Sequence, residues 1–363
     1  MARIVDGCAA SFGETAARLA VIAVVVGVVA FVAGCLGGLS DLALGVLAAS
    51  WLYFAGLAAG AVALSAAVRC SRGRWAVSAL PYAEAAAGFF PVAFVLLAGL
   101  VLAATAWMPG AAATGSVEWI ARVVRDLAAT AILFLAGTRY LRRAAMMTDP
   151  APGPERAAVA YLLLYAAALS LWAVDLVMSL HDWAPSTVIP AFYFMGAFLG
   201  AVAWTALVTT ALGSTDGDSR TRHDLGKLLF GFIIFWGYLL WSAYLPVWYG
   251  NLPDETGQLM ARWAGGWKFA SLGVIGAVLA VPFVTLVPER TKRSRPVLGF
   301  IAASILAGLL GERFLLVLPS LDLPASWPAF LAGAGVTIGM AGAFVLSAGM
   351  RLARQSGLPN ESH

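Results

Sequence analysis

Between Thr15 and Met350 the chain is a succession of long apolar runs separated by short polar connections. The runs cover roughly 15–37, 41–68, 76–108, 118–140, 156–180, 185–213, 225–249, 262–287, 296–318 and 326–350. An α-helix needs about 20 apolar residues to cross the hydrocarbon core of a bilayer. All ten runs meet that length, and the longer ones must tilt, bend or project. The third contains Pro81 and Pro91, which predicts a kink or an interfacial first segment. Inside lipid the backbone must satisfy its own hydrogen bonds, which leaves helices or a closed β-barrel. Barrel strands alternate apolar and polar residues over short stretches, and these runs do not. Composition agrees: 61% of the residues are hydrophobic and 12% are charged, where a soluble domain carries about 25% charged residues. The expected fold is all-α and integral to a membrane, with about ten transmembrane helices. Residues 1–363 are read as a single polytopic domain with short ends at 1–14 and 351–363. Asp6 and Glu14 precede the first run and no cleavage pattern stands out, so Thr15–Cys35 is expected to be a retained anchor.

The basic residues set an orientation. Arg69, Arg72 and Arg74 follow the second run, and Arg139, Arg142, Arg143 and Arg156 surround the fourth connection. Arg220, Arg222 and Lys227 mark the sixth, and Arg290, Lys292, Arg293 and Arg295 the eighth. Connections one, three, five and nine carry no Lys or Arg, and the seventh has only Arg262. Cytoplasmic loops carry the excess of basic residues. The even connections and both termini are therefore expected inside, an N-in/C-in topology.

The net charge of +4 is thus a topology signal, and no nucleic-acid partner is expected. Cys8, Cys35 and Cys70 form no CxxC and no closely spaced pair, which disfavours a disulfide framework or an iron–sulfur site. A membrane b-type haem needs two histidines. His181 is expected outside, while His223 and His363 are expected inside, so no two can share one. No Walker A, GxGxxG after a strand or HExxH motif occurs. Metal ligands, catalytic residues and covalently held cofactors are expected to be absent from this chain.

A charge within a span is costly and tends to face a polar interior or a pathway. On the fourth span Glu118, Arg122 and Asp126 recur at i, i+4 and i+8, a spacing that lets opposite charges pair, while Arg125 points to a neighbouring face. On the fifth, Asp175, Ser179 and Asp182 share a face, completed by His181 and Trp183. Lys268 lies on the eighth span, and Glu312 and Arg313 lie about two turns from the outer end of the ninth. These groups are either structural ion pairs or functional ones. A histidine beside a carboxylate can exchange protons near neutral pH, and a quinol headgroup needs such a pair. Trp183, Phe192, Tyr193 and Phe194 can wall an aromatic pocket or anchor the helices at the interface. Toward the inner side stand Glu84, between Pro81 and Pro91, and Lys227 with Asp224. Glu84 is either the mouth of a proton path or an interfacial residue among headgroups. Tyr238 and Ser242, spaced i, i+4 on the seventh span, are candidate steps between the two sides.

Three segments carry a resemblance. LWAVDLVMSLHDWAPSTVIPAFYFMGAF (Leu171–Phe198) and HDLGKLLFGFIIFWGYLLWSAYLPVWYGNLPDET (His223–Thr256) resemble the F-type membrane subunit (ActF) of bacterial alternative complex III. GERFLLVLPSL (Gly311–Leu321) resembles the motif of the wider NrfD-like superfamily, which includes polysulfide reductase membrane subunits. The resemblance implies two four-helix bundles plus flanking helices in a bacterial inner membrane. It implies a place in a respiratory quinol:acceptor oxidoreductase, beside an NrfD-like paralogue of the C type, an iron–sulfur/molybdopterin-like protein, haem c subunits and, in some assemblies, a terminal oxidase. Electrons travel through those partners. The F-type chain contributes proton conduction or a cavity open to menaquinol or ubiquinol from the lipid. On that reading Asp126, Asp175, His181, Asp182, Lys268, Glu312 and Arg313 form the outer part, and Glu84 and Lys227 the inner part. The outer sequence Leu180-His181-Asp182-Trp183 departs from the family's order of acidic residue, Pro and His. Two other readings stand beside this one: a quinone-interacting anchor of a molybdopterin/iron–sulfur oxidoreductase, and a secondary transporter or structural scaffold.

Overall fold

The computed structural model describes residues 10–108, 115–147, 149, 153, 155–180, 186–213, 219–321 and 327–356. Among these residues there are helices and no strand. The long helices are α1 Glu14–Leu36, α2 Ser40–Cys70, α3 Leu80–Leu102, α4 Ser116–Ala144, α5 Arg156–Leu176, α6 Val188–Leu212, α7 Ser219–Gly250, α8 Pro253–Trp263, α9 Trp267–Leu286, α10 Arg295–Val317 and α11 Trp327–Ser356. Among the described residues nine helices are long and apolar enough to cross a membrane, all of these except α4 and α8. The chain is a multi-pass α-helical membrane protein. Helix α4 has 29 residues, about 43 Å at 1.5 Å per residue, but Glu118, Arg122, Arg125, Asp126 and Arg139 dilute its apolar character.

Helix α2 lies at the centre, with 94% of its most apolar stretch buried. Its sequence of alanines and glycines explains the position, because small side chains let neighbouring backbones approach from every side. A Cβ on Gly60 would meet Ala197 O of α6 at 2.7 Å. Around it pack α3, α5, α6, α10 and α11. Large polar aromatics tie these helices together by donating to backbone carbonyls of neighbours. Trp51 Nε1 donates to Ala93 O (2.7 Å), Tyr161 OH to Ala59 O (3.0 Å), Tyr193 OH to Leu52 O (2.8 Å) and Tyr53 OH to Leu306 O (3.0 Å). Buried hydroxyl and indole groups need such partners.

Helix α1 is peripheral, mostly turned outward, and packs chiefly on α11. Gly27 sits against Gly339, and Gly335 against Ala30, so the two backbones touch. Gly339→Val is expected to wedge them apart at a cost of about 1–3 kcal/mol. The check is a lowered thermal midpoint of the purified protein. Gly99→Val is the control, since a Cβ on Gly99 meets nothing within 4 Å. Equal midpoints for the two variants would refute the close packing.

Three spans depart from plain helices. In α3 a 3₁₀ segment, Ala86–Phe89, precedes Pro91, in line with the expected break. The run expected over 262–287 is two helices. Helix α8 ends at Trp263, Gly265 takes a left-handed backbone (φ 51°), and α9 begins at Trp267. Glycine adopts that conformation without Cβ strain, and it turns an amphipathic helix back into a spanning one. Lys268, expected in line with Arg262, therefore opens a separate helix and is exposed. Helix α9 also contains a π segment, Gly276–Ala280, where Ser304 Oγ of α10 donates to Ala277 O (3.0 Å). Such widened turns recur at functional sites.

The basic connections meet at one end of the bundle. Arg72 lies beside Gly153, Thr221 Oγ1 donates to Trp75 O (3.2 Å), Arg222 Nε to Arg293 O (3.3 Å), and Arg295 Nε to Thr210 O. There the short helix Glu289–Arg293 carries an exposed ion pair, in which Arg293 holds the Glu289 carboxyl below the usual carboxylate range. At the opposite end Ser179 meets Met108, Gly45 meets Leu321, and Arg262 meets Leu315.

Candidate functional site

A buried polar arrangement toward that opposite end centres on α10. Glu312 and Arg313 are both buried, at 4% and 1% exposure. Arg313 Nη1 donates to Glu312 Oε1 (2.5 Å), and Arg313 Nη2 to Tyr193 O (3.1 Å). The guanidinium also lies 4.2 Å from the centre of the Tyr193 ring, a favourable position for a cation over an aromatic face. Its space is provided by Gly196, where a Cβ would stand 2.9 Å from Arg313 Nη2. Trp236 Nε1 of α7 donates to Glu312 Oε2 (2.7 Å). Glu312 is therefore held on both oxygens, yet each carboxylate oxygen can accept a further hydrogen bond.

Glu312 borders a cleft of about 560 Å³. Trp236, Leu240, Trp241 and Tyr244 of α7 form one wall, Val274, Ile275 and Leu279 of α9 another, and Leu315 and Leu316 continue the α10 side. Ser186 and Phe192 close it near α6, and Arg262 and Trp263 of α8 cover it. Arg262 is oriented by its Nε, which donates to Leu315 O (3.1 Å), and by Ser271 Oγ, which donates to Arg262 O (3.1 Å). Gly237 leaves room for Leu279, which a Cβ would meet at 3.1 Å. An apolar, aromatic wall with a few converging polar groups is the usual form of a small-molecule site.

Two further polar clusters are buried. Between α4 and α5, Asp126 and Asp175 are 1% and 3% exposed, and their carboxyls interact directly. Arg125 Nη2 donates to Asp175 Oδ2 (2.5 Å), while Asp126 Oδ1 has no hydrogen-bond partner. The expected Arg122–Asp126 pair is not the one formed. Arg122 lies over Trp119, and Arg125 takes the carboxylate on α5. Positions 125 and 126 are about 100° apart on a helix, so both can turn toward one neighbour. Ser179 Oγ donates to Asp175 O, as their shared face suggests. Toward the basic end, Glu84 Oε1 accepts from Arg69 Nη2 (2.6 Å) and Ser65 Oγ (2.7 Å), and Ser65 also meets Tyr140 OH at 3.1 Å. Glu84 is 8% exposed, so it is a paired interior group and not one bathed in headgroups.

The remaining candidates lie elsewhere. His181 and Asp182 fall outside the described residues. Lys227 forms an exposed pair with Asp224 (3.1 Å). Tyr238 is 61% exposed and stacks on Phe235, and Ser242 does not line the cleft. Tyr238 is thus turned outward from the bundle, while Ser242 is half-buried. Buried tyrosines occupy the interior: Tyr53, Tyr140, Tyr161, Tyr165 and Tyr193. Sequence reasoning does not single out Trp236 or Arg262 as site residues. A tryptophan in mid-span whose N–H requires a buried acceptor is the available signal for the first. Among the described residues no group of three or more His, Cys, Asp or Glu could hold a metal ion. No protein-family model matches the chain, and no curated protein matches it.

Proposed function

We propose that this chain is the F-type membrane subunit of an alternative complex III in a bacterial inner membrane, and that the Glu312 cleft receives the ring of a quinol. The cleft carries the reading. Its size lies within the roughly 300–1,000 Å³ range of small-molecule pockets, its walls suit a flat apolar ring, and Glu312 offers an acceptor to a ring hydroxyl. Trp241 and Trp263 are 54% and 37% exposed, which gives a lipid-dissolved ligand an aromatic entrance. The quinol's two electrons pass to iron–sulfur or haem centres of partner proteins, and its two protons leave through polar groups of the membrane-embedded chains. The Asp126–Asp175 pair and the Glu84–Ser65–Tyr140 group are the proton-exchange sites in this reading. The ten-crossing, N-in/C-in plan with two four-helix bundles belongs to the same proposal.

Glu312→Gln is expected to weaken binding of a photoreactive quinone analogue on the order of tenfold, equivalent to about 1.4 kcal/mol. The analogue should label peptides from α7, α8 or α10 in the wild-type protein. Labelling confined to other helices, or unchanged in the variant, would remove the quinol assignment. Isolation of the chain alone, binding a polar solute and lacking redox partners, would favour a transporter.

A further inference from the structure

A different site lies at the basic end, where α11 finishes. Arg351 stands on its last turns, tucked beneath the 3₁₀ segment of α3. A Cβ on Gly88 would lie 3.2 Å from Arg351 Cβ. The Nε of Arg351 is shielded from solvent and has no acceptor. Buried guanidinium nitrogens are normally satisfied. The carboxylate that attracts Arg351 is Glu84, whose Oε1 is already engaged by Arg69 and Ser65. Arg142 of α4 and Arg354 of α11 lie within electrostatic reach and repel it. Both are exposed, and among the described residues Arg354 makes a weak contact with Met350 Sδ (3.8 Å). Arg69, bonded to Glu84, and Arg351 with Arg142 and Arg354 in its electrostatic reach thus gather at the terminal turn of a spanning helix, whose candidate membrane segment runs Pro328–Gln355.

We infer that Arg351, Arg142 and Arg354 bind a phosphate group, supplied by an anionic phospholipid. Guanidinium and phosphate match in charge and in hydrogen-bond geometry. Helix ends at headgroup depth bring lipid phosphates within reach of such a cluster, and basic pockets between transmembrane helices take these headgroups. The ligand would complete the charge balance that Glu84 leaves open, and would clamp α11 to α3 and α4. The inference does not depend on the quinol reading.

Native mass spectrometry of the full chain released from detergent tests it, with phosphatidylglycerol, cardiolipin or phosphatidylcholine added. Retention of the two anionic lipids should exceed that of phosphatidylcholine, and Arg351→Gln should reduce the preference about fivefold. Should that variant fail to fold, the exposed pair Arg142→Gln/Arg354→Gln provides the same readout. Inorganic phosphate at millimolar concentration distinguishes the sources. Its failure to displace the lipid supports the lipid phosphate, and its displacement of lipid with an equally tight bound phosphate overturns that source. Equal retention of anionic and zwitterionic lipids, or a preference unchanged in both variants, overturns the site.

Discussion

Arg313→Met is expected to cost about 3–5 kcal/mol of stability, a large part of the roughly 5–15 kcal/mol that holds a typical domain folded. The reason is the charge left behind. Arg313 is the ion-pair partner of Glu312 and also bonds Tyr193 O. Without it, Glu312 keeps the Trp236 N–H as a donor but loses its ion pair and remains an undercompensated carboxylate among apolar helices. The side chain also fills the space beside Gly196, so its loss leaves poorly packed volume as well. The measurement is thermal unfolding of purified protein in detergent, with size-exclusion profiles as a check on assembly. The double variant Arg313→Met/Glu312→Gln should recover part of the loss, because removing both charges also removes their desolvation penalty. A single variant within about 1 kcal/mol of wild type would mean that the pair behaves as a solvated one.

Glu84→Ala is expected to be nearly as damaging, again about 3–5 kcal/mol. Glu84 and Arg69 are each 11% exposed in their side chains, and the same carboxylate oxygen accepts from Ser65. Removal strips the Arg69 guanidinium of its carboxylate, leaves Ser65 Oγ with Tyr140 OH but without Glu84, and deletes the anion that offsets Arg351. Glu84→Gln should be milder, since an amide oxygen still accepts from Ser65 and Arg69. The order wild type, Gln, Ala in thermal midpoint is the expected result. Equal midpoints for Gln and Ala would show that charge, not hydrogen bonding, dominates. If the Glu84→Gln protein assembles normally, quinol-linked proton exchange measured on it tests the second part of the functional proposal.

Glu84 and Asp175 illustrate what a linear reading can recover. Both stand out because a charged residue in an apolar run is costly wherever it ends up. Their partners do not. Glu84 takes Arg69 from the preceding helix, and Asp175 takes Arg125 from α4, where helical spacing points to Arg122 and Asp126. Spacing along one helix reports which residues share a face, not which neighbour that face meets. Tyr238 and Ser242 fit a path by spacing alone, yet their helix turns Tyr238 outward.

The sequence by itself determined the class of this protein, the positions of most of its long helices and the grouping of its basic connections. Those properties are local: the length of an apolar run decides whether lipid can solvate it, and arginines mark the ends where runs stop. Tertiary packing alone decided the cleft. Ser186, Trp236, Arg262 and Glu312 come from four separated segments. Arg262 lines the cleft from the last turn of α8, just before the left-handed Gly265 that separates α8 from α9. Small residues decide how closely each helix approaches and how far it rotates, and only the assembled bundle selects which polar side chains converge.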